Sequence, residues 1–138
     1  MSTRPGLTPE ASGVYGTPAD ISGLRERARA GGVTWKAIDL QAVRSKQELM
    51  DAFAAALDLP RYFGANWDAL EDCLGDPACL PDSGYVIRLR SAARAQKALG
   101  EEWDTLLEIL RESSSWWKGR AQPFVVLIDD DPQLPAWI

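Results

Sequence analysis

The chain reads as an α/β protein: a small parallel sheet of three strands, with a fourth N-terminal strand if the segment around Val14 joins it, packed with helices. Three observations predict this. Short apolar runs rich in β-branched and aromatic residues alternate with segments of helical periodicity, an order that calls for right-handed crossovers between parallel strands. One run, Phe124 to Ile128, is apolar without interruption, as a strand covered on both faces has to be. Between two of the runs, Ser45 and Glu48 stand at the spacing of a capping box, in which Ser45 caps the N3 amide and Glu48 reaches back to the cap's own N–H.

From Met1 to Ser12 the sequence is rich in Pro, Gly, Ser and Thr without periodicity, and residues 1–12 are expected to be a mobile segment with little core. Residues 13–32 form an expected extra strand, Gly13-Val14-Tyr15-Gly16, and a helix from Asp20 to Ala30 with Ile21, Leu24 and Ala28 on one face and Gly31-Gly32 as its stop. The main domain is expected over 33–130. It opens with a strand from Val33 to Leu40, in which Trp35, Ala37 and Ile38 make an apolar, partly alternating run. The capped helix follows, buries Leu49, Phe53, Ala56 and Leu57, and ends at Leu59-Pro60.

Asn66 is the next cap: its side-chain oxygen suits the free N–H groups of a first turn. The helix it opens turns Leu70, Cys73 and Leu74 toward a core and Asp68, Glu71 and Asp72 away from it, with Asp76 continuing that row if the helix runs so far. Asp68 gains from the helix dipole, but Asp72 repels it one turn on, so local stability does not account for the acidic face. Gly75 to Gly84 reads as a loop, and Tyr85 to Arg90 as a strand with Tyr85, Ile87 and Leu89 on one face. Ser91 to Leu99 reads as a short helix stopped by Gly100, and Glu101 to Glu112 as a longer one with Trp103, Leu106, Leu107 and Leu110 as its apolar stripe. Trp116 and Trp117 are either lids over the core or exposed anchors, Asp129-Asp130-Asp131 has the composition of a solvated turn, and 131–138 is a tail.

At 138 residues the chain suits a single domain that buries about two-thirds of its unfolded surface. Its net charge of -5 disfavours phosphate backbones and favours basic proteins, so direct nucleic-acid binding is not expected. No apolar run reaches membrane-spanning length and the N-terminus lacks a signal-type stretch, which makes the cytoplasm the expected location. Cys73 and Cys79 are expected to be free thiols, with Cys73 a small buried hydrophobe. The sequence has no histidine, which removes the commonest general base and the commonest transition-metal ligand together. There is no phosphate-cradling glycine loop, nucleophile elbow or zinc-type cysteine pairing, so neither an enzyme nor a cofactor is signalled. Asp68, Glu71, Asp72 and Glu112 are also of the type that holds a hard cation or acts as a carboxylate pair in hydrolysis.

The segment Leu59, Pro60, Tyr62, Phe63, Gly64, Asn66, Asp68, Ala69, Leu70, Asp72, Cys73, Leu74 resembles the barstar family of intracellular ribonuclease inhibitors, with Pro, Gly, Asn and two Asp in fixed register. The resemblance implies a barstar-like fold over roughly Val33 to Asp129. It also implies a non-enzymatic role: one-to-one binding of a basic extracellular or toxin-type ribonuclease, whose active site is blocked by helix carboxylates mimicking RNA phosphate. By the same resemblance Asp72 is the central phosphate mimic, Asp68 a second acidic contact, Tyr62 an aromatic contact, Gly64 and Asn66 the shaped loop, and Glu112 an acidic contact from the last long helix. Read from composition alone, Tyr62 is equally a half-buried loop anchor and Glu112 an ordinary exposed helix residue. Barstar has tryptophans where this chain has Glu71 and Pro77, and an acidic residue where it has Trp116, so Glu71 joins the expected partner-binding set as the position of changed specificity. The competing reading is an acidic interaction module that binds a different basic partner without inhibiting a nuclease.

Overall fold

A computed structural model describes residues 7–60, 66–80 and 83–137. Four parallel strands form one sheet: β1 Gly13–Gly16, β2 Thr34–Asp39, β3 Tyr85–Arg90 and β4 Phe124–Ile128, in the order β1-β4-β3-β2. Five helices connect them: α1 Ile21–Ala30, α2 Lys46–Leu57, α3 Trp67–Leu74, α4 Ala93–Leu99 and α5 Glu101–Gly119. The N-terminal strand therefore belongs to the sheet and makes it four-stranded, pairing Val14 with Val126 and Tyr15 with Leu127.

Each strand side feeds one of two cores. On one side Ile38, Ile87, Leu89, Phe124, Val126 and Ile128 meet Leu49, Phe53, Leu70, Leu74, Leu106, Leu110 and Trp117 from the long helical connections. On the other, Val86, Val125 and Leu127 meet Leu24 and Ala28 of α1. Val86 is therefore buried as fully as Ile87: α1 covers the far face of β3 at Val86, so the start of the strand is buried on both sides rather than on the single face the alternation indicated. Phe124 to Ile128 is buried at every position, as its unbroken apolar run required.

Local chemistry accounts for the element ends. Asp20 accepts from the Gly23 N–H at 3.0 Å to open α1, and the Glu48 N–H donates to Ser45 Oγ at 3.2 Å to open α2. The return arm of the capping box differs from expectation: Glu48 Oε1 accepts from the Arg44 N–H at 3.0 Å rather than from that of Ser45, so the carboxylate reaches one residue further out. Gly100, at φ +56°, lets the chain turn from α4 into α5 without the penalty a Cβ would bring.

α5 runs seven residues beyond the Glu112 end expected from its apolar stripe. Ser113, Ser114 and Ser115 weaken the helical signal in sequence, but Ser113 and Ser114 are buried and the Ser114 hydroxyl donates to the Leu110 carbonyl at 2.9 Å, which satisfies it within the helix. The tail is pinned as well. Gly16 N–H donates to Pro135 O at 2.9 Å, Ala136 bridges to Gly16 along the outer edge of β1, and the Trp137 ring meets Tyr15 edge-on at 5.1 Å. The described part of the N-terminal segment is also packed: Pro9–Ala11 is a 3-10 turn, and the Phe124 N–H donates to Ser12 Oγ at 3.0 Å.

The Asp129-Asp130-Asp131 run is not a uniformly solvated turn. Asp129 accepts from Arg88 Nε at 3.1 Å, from the Thr17 hydroxyl at 2.6 Å and from the Ser91 N–H at 3.3 Å, and Asp131 is buried. Asp130 alone faces solvent. No helix among the described residues is long and apolar enough to cross a membrane.

Candidate functional site

The acidic helix forms as its cap and its apolar spacing require. Asn66 Oδ1 accepts from the Ala69 N–H at 2.8 Å, and Leu70, Cys73 and Leu74 are buried beneath α3 while Asp68, Glu71 and Asp72 are exposed above it. The helix stops at Gly75, so Asp76 does not extend the acidic row. Its carboxylate instead accepts from the Ala78 N–H at 2.9 Å and its carbonyl from the Cys79 and Leu80 N–H groups, shaping the loop that follows. That loop returns Cys79 to Cys73, with the two free thiol sulfurs 3.2 Å apart in the core.

Tertiary packing sets α3 beside α5. The buried Trp117 indole N–H donates to the Leu74 carbonyl at 2.7 Å, closing one of the open carbonyls at the end of α3. One residue before Trp117, the Trp116 ring points outward and is 41 % exposed, edge-on to Trp117 at 5.7 Å. The pair therefore divides between the two roles left open in sequence: Trp117 is core and Trp116 is surface.

Between the helices lies a cavity of about 340 Å³ lined by Glu71, Asp72 and Gly75 of the α3 end and by Glu112, Ser113 and Trp116 of α5. Glu112 and Trp116 share it because they stand one turn apart on α5. Across this cavity Glu112, as a hydrogen-bond partner that favours the protonated form of Glu71, is the main cause holding the Glu71 carboxyl above its usual range; desolvation and the charges of Glu112, Asp68 and Asp72 add to it. Asp68 does not line the cavity but contributes to its field through Glu71. Arg120 covers part of the aromatic wall, its guanidinium carbon 4.7 Å from the Trp116 ring centre.

The structure thus brings Glu71, Asp72 and Glu112 into one groove, with Asn66 and Asp68 at the start of the same helix. Tyr62 and Gly64 lie outside the described residues. Trp116 and Ser113 line the groove although neither belongs to the expected partner-binding set; the one-turn spacing of Trp116 from Glu112 is the signal for it in sequence. Among the described residues no group of three or more His, Cys, Asp or Glu side chains is arranged to hold a metal ion. A groove with excess negative charge and an indole wall is suited to a cationic side chain, above all a guanidinium, which pairs with carboxylates and stacks on indole.

Comparison with known families gives one decisive match: the model described as Barstar (barnase inhibitor) matches residues 34–129. The chain belongs to the barstar family. The matched stretch starts at the first residue of β2 and ends at the residue after β4, so it contains the whole α3–α5 groove, while β1 and α1 precede it. No curated protein matches the chain.

Proposed function

We propose that this barstar-family protein is a ribonuclease inhibitor that acts inside the cell, binding a basic ribonuclease one to one and blocking its active site with the α3 carboxylates. The observation that carries this reading is the convergence of Glu71, Asp72 and Glu112 on one exposed groove within the family-matched region. A ribonuclease cleft concentrates Arg and Lys to hold phosphate, and a rigid helix end presenting carboxylates fits that cation array while excluding RNA. In this reading Asp72 takes the phosphate position, Asp68 and Glu112 flank it, Tyr62 is an aromatic contact, Gly64 and Asn66 shape the approach, and Glu71 with Trp116 sets which ribonuclease is preferred.

The test is an RNA-cleavage assay with a basic barnase-type ribonuclease and increasing amounts of the purified protein. The expected result is stoichiometric loss of cleavage, with Asp72→Ala requiring far more protein for the same effect. Undiminished cleavage at an excess of wild-type protein, across a panel of such ribonucleases, would overturn the reading.

A further inference from the structure

The face covered by α1 carries a second, oppositely charged cleft. A single ten-residue helix is about 15 Å long and about 10 Å wide, whereas the outer strands of a four-stranded sheet lie about 14 Å apart, so α1 cannot roof the whole face. What it leaves open is the side of β2 and β3 toward their C-terminal ends. Ala37 there is exposed although it sits in a strand, and Arg88 and Arg90 project from the same row of the sheet as Val86.

The opening is a cavity of about 300 Å³ lined by Ile21, Ser22 and Arg25 of α1, Trp35 and Ala37 of β2, and Arg88 and Arg90 of β3. It adjoins a second of about 450 Å³ that shares Ser22, Arg25 and Trp35 and extends to Arg29. Both volumes fall in the range of small-ligand sites, about 300–1,000 Å³. The charges around it are unequally matched. Arg88 is held by Asp129 and Arg29 by Glu26, but neither the Arg25 nor the Arg90 guanidinium has an ion-pair or hydrogen-bond partner among the described residues. Asp39, opposite Arg90 in register, accepts from the Gln41 N–H and does not line the cavity.

We propose that this cleft binds a nucleotide-sized phosphate ester, with Arg25 and Arg90 on the phosphate and the Trp35 indole against the base. Two unpaired guanidinium groups from different elements, a nearby hydroxyl at Ser22 and an aromatic wall match the two halves of such a ligand, an anion and a stackable ring. A net charge of -5 argued against nucleic acid when averaged over the surface. The fold distributes that charge unevenly, gathering Glu71, Asp72 and Glu112 at one groove and Arg25, Arg88 and Arg90 at the other. The overall negative field still opposes a long polyanion, which favours a single nucleotide unit, free or at the end of a strand.

The test uses the full chain in calorimetric titrations at low ionic strength with AMP, inorganic phosphate, adenosine, a single-stranded RNA of about eight nucleotides and a glutamate-rich peptide. AMP is expected to bind at least about tenfold more tightly than phosphate or adenosine, and Arg25→Ala with Arg90→Ala to weaken it by about tenfold or more. Unchanged thermal unfolding of the double variant would establish that the loss is local. RNA binding tighter than AMP and abolished by the same variants would support the cleft and identify a strand as the source of the nucleotide. AMP binding no better than phosphate, binding indifferent to the double variant, or equal affinity for the acidic peptide would each overturn the proposal.

Discussion

The Trp117 indole N–H donates to the carbonyl of Leu74 at 2.7 Å, and this bond joins the end of the acidic helix to the helix that carries Glu112. The indole is fully buried, edge-on to Tyr85 at 5.6 Å and stacked on Phe124 at 5.9 Å, so the sheet itself holds it in place. Trp117→Phe would leave the Leu74 carbonyl unpaired and a void where the larger ring sat. The expected cost is about 2–4 kcal/mol in chemical denaturation, with the α3–α5 groove widened and any partner bound more weakly than the stability loss alone explains.

Asp72 carries the binding prediction. Asp72→Ala is expected to weaken a ribonuclease complex by about 2–5 kcal/mol, the general range for truncating one partner of a buried charge pair and one that the barnase–barstar pair itself exemplifies. Because Asp72 is exposed in the free protein and repels Asp68 along the helix, the variant's unfolding midpoint should stay unchanged or rise slightly. Binding measured by calorimetry beside thermal unfolding separates the two effects.

Glu71 should titrate above the ordinary carboxylate range, because Glu112 as a hydrogen-bond partner favours its protonated form and the surrounding carboxylates oppose its ionisation. The sign follows directly: a carboxyl whose folded value is raised lowers native stability as pH rises through that value, and the loss is recovered on acidification. Carboxyl NMR resonances followed against pH should show the raised midpoint in the wild type. In Glu112→Gln the midpoint should fall, since the amide can donate to an ionised Glu71. A cationic partner would drive the same proton off, so binding should strengthen as pH rises from mildly acidic to neutral.

Asp129 behaves in the opposite sense. Burial pushes its carboxyl up, but the Thr17 hydroxyl, the Arg88 guanidinium and the Ser91 N–H together outweigh burial and hold it below the usual range. Its contribution to stability is present above the unfolded value of an aspartate, near 3.8, and is lost as pH falls through the lower folded value. Asp129→Ala should destabilise by about 2–4 kcal/mol at neutral pH, and the difference from wild type should shrink in strong acid. Equal pH dependence of unfolding in the two proteins would contradict this.

Burial, reinforced by the Cys79 hydrogen bond and by the charges of Asp76 and Asp72, pushes the Cys73 thiol up to about 12. In the native state Cys73 should resist alkylation at neutral pH, since the thiolate is the reactive form, and Cys79 should resist because it is buried; both should react readily in denaturant. Stability should also decline as pH rises past 9, where an unfolded Cys73 ionises and the folded one does not.

Much of this protein was legible in its sequence because the signals were local. Asn66, Ser45 and Asp20 mark helix starts through bonds to amides only three residues away, and the spacing of Leu70, Cys73 and Leu74 decides which side of α3 faces outward. The run from Phe124 to Ile128 announces a strand buried on both faces, and the pattern from Leu59 to Leu74 carries the family. Only the tertiary structure decided that Trp117 is core while Trp116 is surface, that Glu71 meets Glu112 across a groove, and that Asp129 is tied to Arg88 and Thr17. Those pairings join residues about 40 to 112 positions apart, and no local periodicity encodes them. They follow from how α5 lies against α3 and how β1 joins the sheet, which is set by the packing of whole apolar faces. The same packing gathers Glu71, Asp72 and Glu112 at one groove and Arg25, Arg88 and Arg90 at another, on a chain whose composition is simply acidic.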